Sequence, residues 1–336
     1  IALSISCQQE PQKDYVMLSG KIENAHDSKT LRIYKGKTYE KIITLNDDGS
    51  FNDTLKVAEG EYSIKHGDEY GNIYLKNGNI STLETDYEDF DNMLIYGGDG
   101  ADINNFNIKS YLIVGDYFTD DLFLNPTQEG LDVAIKSYKD GYAKLESSYE
   151  DLDSIRKANG AKGVENNVKL YKNYFTGKIA LRKALPKGSP SPTFENYENF
   201  KGGTTSLSDL KGKYVYVDVW ATWCGPCKRE IPSLKQLESK YHDRNIEFVS
   251  ISVDDARRSG SDEKAYASWK KMVADKSLGG IQLFSDKAWK SDFMQSYKVG
   301  SIPRFILIDP DGNIVSPDAP RPSNPKLIEL FDELSI

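Results

Sequence analysis

Cysteine and histidine are both scarce in this sequence, three of each among 336 residues, and the scarcity sets the first limits. A closed structural zinc site needs four ligands at suitable spacings. Here Cys224 and Cys227 form one pair, Cys7 stands far from it, and His26, His66 and His242 are scattered singly, so the pair does not read as half of a zinc site. No apolar run reaches the roughly 18 residues that a membrane-spanning helix requires. Lys/Arg-rich stretches are missing too, and 51 acidic residues outnumber 43 basic ones for a net charge of -8, which removes nucleic acid from the expected partners. The length is more than one core would account for and leaves room for two or three domains.

What is present is concentrated in Tyr214-Val-Tyr-Val-Asp-Val-Trp-Ala-Thr-Trp-Cys-Gly-Pro-Cys-Lys228. Val215, Val217 and Val219 lie in a β-branched, aromatic run that predicts a buried strand, while Lys228 to Glu238 carries apolar residues at helical spacing. The two cysteines therefore fall at a strand-to-helix junction. A helix N-terminus offers unpaired N–H groups and a partial positive charge, which stabilise a thiolate and lower its pKa from about 8.5 toward 7 or below. Cys224 is the expected nucleophile. The two-residue spacing brings Cys227 within disulfide reach, Pro226 stiffens the turn, and Cys227 is expected to resolve a mixed disulfide. Asp218 precedes Cys224 on the strand beneath, where a buried carboxyl could take the proton of Cys227; an ordinary polar contact of a strand aspartate is the other reading of the same residue. Pro232 either kinks the following helix or ends it, and apolar periodicity through Leu234 and Leu237 favours the kink.

Trp220-Ala-Thr-Trp-Cys-Gly-Pro-Cys with Asp218 beneath it resembles the thioredoxin superfamily. Ser189-Pro-Ser-Pro-Thr-Phe, Ser206-Leu-Ser-Asp-Leu-Lys-Gly-Lys and Cys-Gly-Pro-Cys-Lys-Arg-Glu-Ile-Pro narrow the likeness to TlpA/ResA-like extracytoplasmic thiol:disulfide oxidoreductases, part of the wider redoxin group. The resemblance implies that Val299-Gly-Ser-Ile-Pro-Arg-Phe-Ile-Leu-Ile-Asp309 is the cis-proline segment, with Ile302-Pro303 facing the cysteines and holding a substrate chain beside Cys224, together with Trp223, Gly225 and Pro226. Members often carry threonine after that proline; this chain has Arg304. The Gly-Pro dipeptide is similar to that of reducing members, near about -270 mV, rather than oxidising ones near about -120 mV.

Ile1-Ala-Leu-Ser-Ile-Ser-Cys7 looks like the end of a bacterial lipoprotein signal peptide, with Cys7 as the lipidated residue and Ser4 where leucine is usual. Residues 14–98 read as short strands separated by turns at Asp47–Ser50, Glu59–Glu61, Tyr70–Asn72 and Asn77–Asn79, about seven in all, which predicts a β-sandwich. Its pattern resembles the N-terminal β-domain fused to TlpA-like proteins of Bacteroidetes. Over 99–185 the period becomes helical. Leu131, Ile135, Tyr138, Tyr142, Leu145, Tyr149 and Leu152 form one stripe, Asn159-Gly-Ala-Lys-Gly163 breaks it, and Val164, Val168, Tyr171 and Phe175 begin another, an antiparallel hairpin in preference to a dimeric coiled coil. Pro186 to Pro192 is a linker or extended lead-in. Residues 186–336 then alternate strand and helix as an α/β thioredoxin-like domain, a mixed sheet with flanking helices.

The expected activity is that of a protein-disulfide reductase with no cofactor beyond the redox-active Cys224–Cys227 disulfide. It would sit in the cell envelope, lipid-anchored in the periplasm and on the outer membrane. Disulfide-containing exported proteins would be its clients, cytochrome c maturation among the processes served, and a membrane thiol would be its electron donor. Residues 14–185 are expected to serve as spacer and partner-selecting module. Two rival readings are a thiol peroxidase, against which the Cys-Gly-Pro-Cys motif speaks, and a ligand-binding lipoprotein with an incidental redox domain.

Overall fold

The computed structural model describes residues 13–149 and 152–336; Cys7 lies outside them. Chain contacts define two compact units, one holding the chain up to Leu122 with Glu129–Tyr171, the other Phe123–Gln128 with Lys172–Ile336.

In the first unit, seven strands follow one another: β1 (Val16–Glu23), β2 (Thr30–Lys35), β3 (Tyr39–Thr44), β4 (Ser50–Leu55), β5 (Gly60–His66), β6 (Glu69–Leu75) and β7 (Ile80–Asp86). After the one-turn helix α1 (Phe90–Met93), β8 (Ile95–Gly98) completes two four-stranded sheets, β4-β1-β7-β8 and β3-β2-β5-β6. Alternate residues of both sheets, including Val16, Leu18, Leu31, Ile33, Ile64, Ile73 and Leu83, share one buried core, as the period-two side-chain alternation of strands requires. Gly20 is needed where β1 runs parallel to β7, because a Cβ there would lie 1.8 Å from the Leu83 carbonyl oxygen. His26 and His66, singletons in the sequence, are neighbours with ring centroids 6.3 Å apart. His66 Nε2 accepts the His26 backbone N–H at 2.8 Å and Nδ1 meets the Thr30 carbonyl at 2.9 Å. Burial lowers the pKa of this ring, which marks it as a neutral core histidine.

The helical stretch comprises α2 (Ala101–Tyr117), α3 (Asp120–Leu124), α4 (Gln128–Ser147) and α5 (Ser154–Ala184). Two expectations change here. The break between the long helices falls just before Ser154, where Asp153 accepts the Arg156 N–H at 2.8 Å, and α5 runs straight through Gly160 and Gly163. Gly160 is a notch: a Cβ would sit 1.8 Å from Tyr142 Oη, so the missing side chain admits a buried tyrosine, and packing outweighs the intrinsic helix cost of glycine of about 1 kcal/mol. Nor do residues 99–185 form a region of their own, since the contact division assigns Phe123–Gln128 and the end of α5 to the second unit.

That unit is built on a seven-stranded mixed sheet in the order β10-β9-β13-β12-β11-β14-β15, formed by β9 (Tyr197–Asn199), β10 (Thr204–Thr205), β11 (Tyr214–Trp220), β12 (Ile246–Ser252), β13 (Ile281–Phe284), β14 (Arg304–Ile308) and β15 (Ile314–Ser316). Helices α6 (Gly225–Lys240), α7 (Ala256–Ser259), α8 (Asp262–Asp275), α9 (Asp292–Ser296) and α10 (Lys326–Glu333) flank it. Central β11 pairs in parallel with β12 and antiparallel with β14 and is apolar on both faces, as a strand covered on both sides must be. Val215, Val217 and Val219 enter one core with Leu181, Leu185, Trp269 and Phe293, while Tyr216 enters a second with Leu234, Leu237 and Phe331. Ser291 caps α9, its hydroxyl accepting the Met294 N–H at 3.3 Å. The Pro186–Pro192 stretch is an extended lead-in: Gly188 and Ser191 donate to the carbonyls of Ile314 and Gly312, and Ile314 donates to Ser189.

Candidate active site

Strand β11 ends at Trp220, and Ala221, Thr222 and Trp223 carry the chain to α6. Cys224 is the N-cap residue, with an extended backbone (φ -78°, ψ 103°), and its sulfur accepts the Cys227 N–H at 3.1 Å. The two cysteines form a disulfide. Pro226 occupies the first turn, where a missing N–H leaves no bond unmade, and no acidic side chain stands in that turn to offset the helix dipole. Pro232 lies inside α6, which continues to Lys240. With the disulfide formed both residues are buried, Cys224 3% exposed and Cys227 5%.

A buried carboxylate fixes the approach loop. Asp254, 2% exposed, accepts the Thr222 N–H at 3.0 Å, the Thr222 hydroxyl at 2.6 Å and the Ser252 hydroxyl at 2.7 Å. Trp223 is stacked on Trp289, centroids 6.5 Å apart, and the Arg258 guanidinium lies 4.9 Å from its ring centre.

Asp218 shares the β11 face of Tyr216, the face on which the buried stripe of α6 packs through Leu234 and Leu237, with Glu230 and Cys227 one and two turns earlier on that stripe. Part of its surface still reaches solvent, yet its carboxyl has no hydrogen-bond partner among the described residues. Desolvation, reinforced by the charges of Glu230 and Glu238, pushes its pKa up to about 8. Glu238 is itself raised to about 7 by desolvation, against the pull of Lys235 and Lys201. Glu230 is 8% exposed and accepts from the Ser323 N–H at 3.0 Å and the Ser323 hydroxyl at 3.1 Å.

The Ile302-Pro303 peptide bond is cis. Arg304, the next residue, opens β14 opposite Val219, so Ile302 and Pro303 lie at the same sheet end as the cysteine loop, and Ile302 packs on the core cluster that contains Cys224 and Cys227. Arg304 turns toward the scaffold, 3.6 Å from Asp318 and 3.3 Å from the Pro317 carbonyl. Gly225 has room for a side chain, since a Cβ would meet only Arg229 at 3.9 Å. The structure thus brings Asp218, Trp223, Cys224, Gly225, Pro226, Cys227, Ile302 and Pro303 to one end of one sheet. Asp254, Glu230 and Trp289 join them unforeseen. Glu230 stands three residues after Cys227, a spacing that alone places it on the same helix face; nothing local signals Asp254, whose partner Thr222 is far away in sequence.

A redox disulfide at a helix N-terminus, above a carboxyl of raised pKa and at the end of a mixed sheet, defines a thioredoxin-type thiol–disulfide oxidoreductase domain. Comparison with known proteins agrees. The Redoxin family model matches residues 186–326. The thiol-disulfide oxidoreductase ResA of Bacillus cereus is 32% identical over 146 residues, 44% of this chain and 75% of ResA. Among solved structures, a candidate thiol-disulfide oxidoreductase from Bacteroides vulgatus is 48% identical over 45% of this chain and 91% of its own, TM-score 0.37. The thioredoxin domain of another thiol-disulfide oxidoreductase from that organism is 27% identical over 45% and 98%, TM-score 0.38. The chain belongs to the ResA-like family of thiol-disulfide oxidoreductases, and it is an enzyme of that type.

Proposed function

We propose that the protein reduces disulfides of exported proteins outside the cytoplasm, using the Cys224–Cys227 dithiol as its only redox group. The observation that carries this reading is the Cys224–Cys227 disulfide at the N-terminus of α6, with Asp218, its pKa pushed up by desolvation to about 8, on the strand beneath. The Cys224 thiolate attacks a client disulfide; that S–S bond breaks, a mixed disulfide forms, and the departing client thiolate takes a proton. In the ionised fraction of Asp218, which grows as pH approaches about 8, the carboxylate takes the proton of Cys227, and the Cys227 thiolate attacks Cys224 Sγ. The second client sulfur leaves as thiolate, two electrons have passed to the client, and the enzyme holds the disulfide until a membrane dithiol reduces it. Trp223, Gly225, Pro226, Ile302 and Pro303 supply the surface for the client chain.

Localisation in the periplasm by a lipid on Cys7 fits the restricted use of cysteine, and a part in cytochrome c maturation is one service such a reductase would perform. The test is a Cys227→Ala variant expressed in its own cell envelope. Clients should accumulate as mixed disulfides on Cys224, identifiable by mass spectrometry. Absence of mixed disulfides, or trapping of cytoplasmic proteins alone, refutes the proposal.

A further inference from the structure

Beside the cysteine loop lies a cleft of about 670 Å³ between Thr222–Trp223 and the α7–α8 segment. Its lining is apolar at Trp223, Ala267 and Met272 and basic at Arg258, Lys264, Lys271 and Lys276. Asp275 is the one carboxylate residue lining it, and Lys271 holds that group at 2.7 Å. Arg258 lies over Trp223, and among the described residues Arg258, Lys264 and Lys276 make no ion pair. Three uncompensated cations around one cleft are out of keeping with a chain of net charge -8. Trp223 is both a wall of this cleft and the residue before Cys224, so the cleft adjoins the loop that carries the cysteines.

We infer that the cleft binds the stretch of client chain flanking the target disulfide, and that it selects acidic segments carrying an apolar or aromatic side chain. The apolar side chain would lie against Trp223 and Met272, and the carboxylates would face Arg258, Lys264 and Lys276. This inference rests on the thiol–disulfide exchange reading and adds the class of substrate. Charges of one sign around a cleft raise the local concentration of the opposite sign and speed encounter, an effect that falls with ionic strength.

The experiment uses the full-length enzyme, pre-reduced, with two disulfide-closed peptides of identical loop sequence, one flanked by Glu-Leu-Glu and the other by Gln-Leu-Gln. The acidic peptide should be reduced about tenfold faster in kcat/KM at low salt, a preference that shrinks as the Debye length drops from about 30 Å at 0.01 M to about 8 Å at 0.15 M. In the Lys264→Glu/Lys276→Glu variant the ratio of the two rates should fall to one or below, and because both rates come from one preparation, the ratio does not depend on how much protein is folded. Equal rates on the wild-type enzyme, or a preference that survives the double substitution, overturns the inference while leaving exchange chemistry intact. Failure to reduce either peptide refutes exchange itself, and the inference with it.

Discussion

Replacing Asp218 with asparagine should make the catalytic unit more stable, and by an amount that grows with pH. In the unfolded chain an aspartate titrates near about 3.9; in the folded protein desolvation holds Asp218 protonated up to about 8. Between those values the native state binds one proton more than the unfolded state, so unfolding free energy falls by about 1.4 kcal/mol per pH unit. The stability is present in full below the unfolded pKa, is lost as pH rises, and levels off above the folded pKa, a total on the order of 5 kcal/mol. Asparagine removes this term, so variant and wild type should coincide near pH 4 and separate progressively to pH 9. All four tryptophans, Trp220, Trp223, Trp269 and Trp289, belong to the second unit, and urea unfolding followed by their fluorescence therefore reports on that unit. The disulfide is kept oxidised so that neither Cys224 nor Cys227 titrates. Glu238, also raised, contributes its own slope to both proteins, so only its coupling to Asp218 remains in the difference. Parallel stability curves for the two proteins across this range would refute a raised Asp218, and with it the proton transfer assigned to that carboxyl.

Two further outcomes follow from packing. A fragment beginning at residue 190 lacks Leu181 and Leu185, which are 6% and 9% exposed in the core that contains both cysteines; at about 1.5–3 kcal/mol for each buried leucine, it should unfold at clearly lower urea than a fragment of residues 172–336, and equal midpoints would show those leucines to be dispensable. In α5, Gly160→Ala should destabilise the first unit because the new Cβ meets Tyr142, whereas Gly163→Ala, with nothing within 4 Å, should stabilise it by about 0.5–1 kcal/mol, both read by thermal unfolding.

The parts of the site that could be read in the sequence were those fixed by contiguous residues. Strand β11, the cysteine turn and α6 form one uninterrupted segment whose period changes from two to about 3.6. Local pattern failed where a distant residue decides. Gly160 looks like a breaker until Tyr142 is seen to fill the space it leaves. Thr222 and Asp254 become one network only once β11 and β12 lie side by side. The end of α5 belongs with the catalytic unit because Leu181 and Leu185 are buried there, and helical periodicity, which reports one face of one helix, does not say which core that face will meet. Cys7, with the lipid expected on it, lies outside the described residues.

The borders of the seven-stranded sheet carry a consequence for self-association. One border is β10, two residues long; beyond β15 on the other runs the segment Gly188–Ser191, flanked and interrupted by Pro186, Pro190 and Pro192, which have no N–H to offer a further strand. The clients proposed above would include chains able to add themselves to any open ladder. Short and proline-blocked rims deny such chains a template and keep copies of the enzyme from joining edge to edge.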